Sequence, residues 1–262
     1  MNDILGDRTS GASALYKKTL NLLQTETKYN APDEALRIID KIKSQFPEMA
    51  VFEYLSLMTR RSNKNEYLAV LRFLELECST ELKLINNQLN KIWLRRKRIV
   101  TFSNSSVVEH IICENQIKVE SVLLSQASPK NEGVILGEKL HNAGLKVEIC
   151  SDAALPNLIK KSDYIFLGAD CVAKRYFINK AGTYPLLLAA KAKCARSFIF
   201  CEKFKIIPSF KFAPGSQDSS EIARPLSGNM RVNNYYFERI PINLADYLIS
   251  GYGIKIIKTG RQ

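Results

Sequence analysis

The chain has 262 residues, 46% hydrophobic and 24% charged, with a formal net charge of +12. That length allows two domains, and no run approaches the ~18–20 continuous apolar residues of a membrane span. Residues 1–10 carry Asp3, Asp7 and Arg8 without an apolar stretch, so the expectation is a cytoplasmic protein with no secretory signal and no use for a membrane.

The first third reads as helices. Thr9, Ser10 and Ser13 precede a run with helical spacing through Ala14, Leu15, Tyr16, Leu20 and Leu23. Ala31-Pro32-Asp33 starts a second helix, since Pro is tolerated in a first turn, with Ala35, Ile38, Ile39 and Ile42 on its apolar face. Pro47 opens a third, and a fourth runs from about Asn65 to Trp93. No glycine lies between Gly11 and Gly133, which favours long helices here.

The pattern changes at Lys97. Strands are expected at 98–102, 121–125, 145–149, 164–167 and 197–201. Helices alternate with them at 106–117, 132–143 (stopped by Gly144), 155–160 and 183–192. Such alternation predicts βαβ units and a mostly parallel sheet buried on both faces, with right-handed crossovers. The fold class expected is α/β: a helical N-terminal domain over 1–95, then a Rossmann-like domain over 96–262. Residues 211–233, rich in Pro, Gly and Ser, read as a long loop.

Charge is unevenly shared. Residues 1–95 hold 14 Lys and Arg against 12 Asp and Glu, and residues 96–262 hold 24 against 14. A basic second domain suits a phosphate-bearing partner, although a solvated Lys-rich surface accounts for the charge equally well. Basic runs such as 95–98 are not interleaved with stacking aromatics, so direct nucleic-acid binding is not supported. The six cysteines show no C-x-x-C spacing and there are two histidines, which calls for no zinc, no metal and no disulfide framework. No cofactor is called for either.

Ligands of open α/β sheets bind beyond the carboxyl ends of the strands. Three polar segments leave strands there. Ser103-Asn104-Ser105-Ser106 offers hydroxyls and helix N–H groups for an anion, although plain N-capping by Ser105 or Ser106 explains the spacing more simply. Gly168-Ala169-Asp170 places a carboxylate at the ligand edge, as an acid/base, a sugar-hydroxyl acceptor or an ordinary turn residue. Asn179-Lys180-Ala181-Gly182-Thr183 combines a cation, a glycine and a capping hydroxyl that suit a phosphate oxygen.

Taken in order, these segments together with Ala189-Ala190-Lys191, Cys201-Glu202-Lys203-Phe204-Lys205 and Asn234-Tyr235-Tyr236-Phe237-Glu238 resemble one family. It unites the α/β/δ subunits of initiation factor 2B with ribose 1,5-bisphosphate isomerase and methylthioribose-1-phosphate isomerase. Ser10-Gly11-Ala12-Ser13-Ala14 is similar to its N-terminal glycine motif. The resemblance implies a cleft between the two domains and dimerisation through the second. It puts Asp170 at the catalytic aspartate, and Asn179 and Lys180 at substrate-holding positions. Ser103 falls where the isomerases carry their catalytic cysteine, and Ser128 where they carry a phosphate-binding Arg. A serine lacks the near-neutral proton exchange of an activated thiol. Arg8 lies near the glycine motif without a secure alignment.

The expected function is an initiation-factor-2B-like homodimer with a translation-factor partner. It binds a phosphorylated sugar or nucleotide without isomerase turnover, with Ser103 and Asp170 at the catalytic positions. Asn104, Ser105, Asn179, Lys180, Gly182 and Thr183 line the ligand. The alternative is an aldose-ketose isomerase of a ribose 1-phosphate derivative, and a third reading is a chain that keeps only the fold.

Overall fold

The computed structural model describes residues 1–7, 11–26, 32–223 and 230–257. Arg8, Thr9, Ser10 and Ala31 lie outside them. The helical part holds α1 (Asn2–Leu5), α2 (Ala12–Glu26), α3 (Pro32–Gln45), α4 (Val51–Arg61) and α5 (Tyr67–Asn90). Each buries residues three or four apart, such as Ala35, Ile39 and Ile42 on α3. Pro47 was expected to open the third helix, but it lies in the turn before α4, whose first residue is Val51.

Then follow β1 (Lys97–Thr101), α6 (Ser106–Glu114), β2 (Val119–Ser125), α7 (Glu132–Asn142), β3 (Val147–Cys150), α8 (Leu155–Leu158) and β4 (Tyr164–Gly168). After these come β5 (Cys171–Val172), β6 (Tyr176–Lys180), α9 (Thr183–Ala192), β7 (Arg196–Phe200), β8 (Phe237–Pro241), β9 (Tyr247–Ser250) and β10 (Gly253–Ile256). The main sheet has seven strands in the order β10-β9-β7-β4-β1-β2-β3, parallel except for the β9–β10 hairpin. The expected α/β class with a mostly parallel sheet is what forms.

The alternation of side chains explains why these strands stay buried. Ile99, Val122, Leu124, Phe166, Phe198 and Phe200 enter the core on one face, and Val100, Leu123, Ile165, Leu167 and Ile199 the core on the other. Trp93 meets Phe166 edge-on at 5.3 Å between ring centroids. Each such large apolar side chain contributes about 1.5–3 kcal/mol by leaving water. The long α5 serves both parts: Leu71 and Leu74 pack among the helices, while Ile85 and Leu89 pack against the sheet.

A second, antiparallel sheet of order β5-β6-β8 was not expected. Its strands are too short to show a period, and Glu238 of β8 lies 56 residues beyond the Gly182 turn that it flanks. Gly168-Ala169-Asp170 therefore leaves β4 into a hairpin, not into a helix. The sheet's Cys171 and Ile178 join the helical core, which seats the helices over the carboxyl ends of the main strands.

Candidate functional site

The strand order reverses between β1 and β4, where consecutive crossovers leave to opposite sides of the sheet. Thr101 pairs with Phe166 there, so the segments that begin at Phe102 and Gly168 leave the sheet side by side. Ser105 packs against Gly168 so closely that a Cβ on Gly168 would stand 2.3 Å from the Ser105 hydroxyl. Ser103 has a positive φ of 67°, a conformation uncommon for serine.

The Ser103 hydroxyl donates to Oε2 of Glu132 at 3.0 Å. The same oxygen pairs with Lys180 Nζ at 2.7 Å. Glu132 opens α7, and the glycine after it is needed: a Cβ on Gly133 would lie 1.8 Å from the Ser125 carbonyl oxygen. This close approach of helix to strand brings the Glu132 carboxylate to the Ser103 turn. Lys180 ends β6 with its side chain 4% exposed, and its ammonium lies 4.7 Å from the ring centroid of Tyr236.

Asp170 follows β4. Burial raises its carboxyl to about 6, with Glu202 and Glu132 adding to the rise and Lys205 and Lys180 opposing it. Glu202 and Lys205 pair at 3.0 Å, both nearly inaccessible. Burial alone would raise Glu202, but Lys205 and the Ser13 hydroxyl, which donates at 2.6 Å, hold it below its ordinary value. Ser13 comes from α2, so the helical part reaches the site directly. Among the described residues, three carboxyls and two ammoniums thus gather at the switch point.

The remaining expected residues are placed as follows. Asn179 is buried and donates to the Thr183 hydroxyl at 3.0 Å, which itself donates to the Lys180 carbonyl at 2.7 Å. Gly182 and Thr183 begin α9, but the N–H groups of Gly182 and Tyr184 donate to Glu238 at 2.9 and 2.8 Å. The start of that helix is therefore already matched to a carboxylate of the chain. Gly182 has φ 109°, and a Cβ there would meet the Phe102 ring at 2.6 Å. Asn104 is exposed on the turn before α6. Cys171 packs in the helical core, and burial pushes its thiol up to about 12.

Sequence reasoning passed over Glu132, and it met Ser13, Glu202, Lys205 and Tyr236 only within motifs. The one local signal is the Glu202–Lys205 spacing after a buried strand. Glu132 looks like any acidic residue in a helix's first turn. An apolar groove of about 590 Å³ between residues 206–208 and the β9–β10 hairpin contains none of these groups.

The resemblance noted above is supported by comparison with known proteins. An eIF-2B subunit 2-like protein of Pyrococcus horikoshii is 29% identical over 269 residues, covering 98% of this chain and 95% of its own. A ribose 1,5-bisphosphate isomerase of Archaeoglobus fulgidus is 29% identical over 165 residues, 59% of this chain and 52% of its own. The crystal structure of the Pyrococcus horikoshii translation initiation factor eIF-2B superposes with a TM-score of 0.78 at 25% identity, covering 100% of this chain and 97% of that one. A methylthioribose 1-phosphate isomerase from the same organism shares the fold at 17% identity, with a TM-score of 0.71 over 97% of this chain and 83% of its own. Residues 59–255 match the initiation factor 2 subunit family, and the chain belongs to it.

Proposed function

We propose that this protein is an initiation-factor-2B-like, ligand-binding protein. It takes a phosphorylated sugar or nucleotide between a helical domain (1–95) and a Rossmann-like domain (96–262), and it does not isomerise it. The observation that carries this reading is the state of Ser103. By the resemblance it falls where the isomerases carry a thiol, and its hydroxyl is held by a carboxylate already paired with Lys180. A carboxylate is far too weak a base to strip a serine hydroxyl, so Ser103 cannot shuttle protons near neutral pH as a thiol can. The neighbouring Cys171 does not supply the missing thiol: it is fully buried and its proton is held up to about 12.

Lys180 and the backbone around Ser103 remain suited to holding an anion. The protein would act as a cytoplasmic homodimer joined through the second domain, with a translation factor as partner. Calorimetric titration with ribose 1,5-bisphosphate tests the binding claim. Saturable binding at one ligand per chain, lost in Lys180→Met, is expected, and the absence of any saturable heat would contradict it.

One observation favours the isomerase reading. Asp170, raised to about 6, is poised to exchange a proton near neutral pH, as an acid/base group must.

A further inference from the structure

Lys180 and the Ser103 hydroxyl are two donors at the switch point, and both are engaged by one oxygen of Glu132. The two ends of this contact differ in access. The Lys180 side chain is 4% exposed, whereas that of Glu132 is 32% exposed, so the carboxylate is the member that faces solvent. Its backbone is fixed by the tight approach of Gly133 to Ser125. Glu202, by contrast, is 3% exposed and bound to both Lys205 and Ser13.

We propose that Glu132 is an internal anion that occupies the phosphate position and competes with the ligand for Lys180 and Ser103, and so sets the affinity of the site. The inference rests on the reading that the cleft takes a phosphorylated ligand. A buried ammonium needs a counter-charge, and in the absence of ligand the chain supplies one. An incoming phosphate dianion must therefore displace Glu132, and it meets Asp170 and Glu202 as further negative charge. Gln in place of Glu132 keeps a carbonyl that accepts from Ser103 but removes the charge, leaving Lys180 to seek an anion. Ala removes both.

The test is calorimetric titration of ribose 1,5-bisphosphate into wild type, Glu132→Gln and Glu132→Ala. Both variants should bind at least about tenfold more tightly than wild type, and the ligand should raise their melting temperatures by more than it raises the wild type's. Saturable wild-type binding with no gain in either variant would overturn the inference and leave the binding function standing. No binding in any of the three would overturn both. A readout that puts no fold at risk is the ¹³C carboxyl resonance of Glu132 in the wild type. It should move as ligand saturates, and a resonance unmoved at saturation would overturn the competition.

Discussion

Among the lysine–glutamate pairs that join distant parts of the described chain, Lys180 with Glu132 and Lys203 with Glu81 contrast most clearly. In the first, the carboxylate is a third exposed and its partners are two side chains. In the second, Glu81 of α5 is fully buried, accepts from the Lys203 backbone N–H at 3.0 Å and pairs with its ammonium at 3.4 Å. Gly251 packs against the same carboxylate, so that a Cβ there would stand 2.1 Å from it. Glu81 thus fastens the helical part to two turns of the sheet part, one of them next to Glu202. The same pair of residue types gives a replaceable contact in one place and a structural fastening in the other. Burial and the number of backbone partners decide which.

The comparison can be broken most severely at Glu81. Glu81→Ala takes the carboxylate away from the Lys203 backbone N–H and from an ammonium whose side chain is 20% exposed, and should cost about 3 kcal/mol, read as a fall in the urea midpoint. An effect as small as that of an exposed pair would refute the contrast.

Asp170→Asn should act in the other direction. The folded protein holds the Asp170 proton up to about 6 because burial disfavours the charge. That contribution to stability is fully present below the ordinary carboxylate value of about 4, and it is lost as pH rises through about 6. Asn removes this loss, so the variant should be about 2–3 kcal/mol more stable than wild type at pH 7–8 relative to their difference at pH 3.5. Melting temperatures of the two proteins across this range check it. Glu202 works oppositely: its pKa is lowered, so its contribution is present above the ordinary carboxylate value and fades only below it. It should leave the Asp170 window untouched.

Ser13→Ala, which removes the hydrogen bond to Glu202 across the two parts, should cost about 1.5–3 kcal/mol by chemical denaturation. The smallest effect belongs to the exposed Lys139–Glu109 pair on α7 and α6, where Lys139→Ala should change stability by less than about 1 kcal/mol.

How much of this was legible in the sequence differs between the two helix starts nearest the cleft. At α9, Gly182 and Thr183 read as an anion site, and the chain fills that position with Glu238, a partner 56 residues away that no local spacing announces. At α6, Ser105 has helix N-cap spacing but makes no side-chain cap hydrogen bond, and its hydroxyl instead packs on Gly168. Periodicity told where the main strands and helices lie, because Ile99 against Val100 and Ala35 with Ile39 carry periods of two and of about 3.6 in the residues themselves. The order Ser103, Asp170, Lys180 likewise pointed to the carboxyl ends of the strands. It could not show β5-β6-β8, nor that Glu132, Ser13 and Glu202 converge there, since those contacts are made by tertiary packing alone.

The central claim is binding without conversion, and its most direct test is the ³¹P NMR spectrum of ribose 1,5-bisphosphate with the purified protein, followed over hours. The account predicts resonances that broaden or shift while no new species grows in. Accumulation of ribulose 1,5-bisphosphate resonances would show an isomerase that works without the usual thiol, and would contradict it.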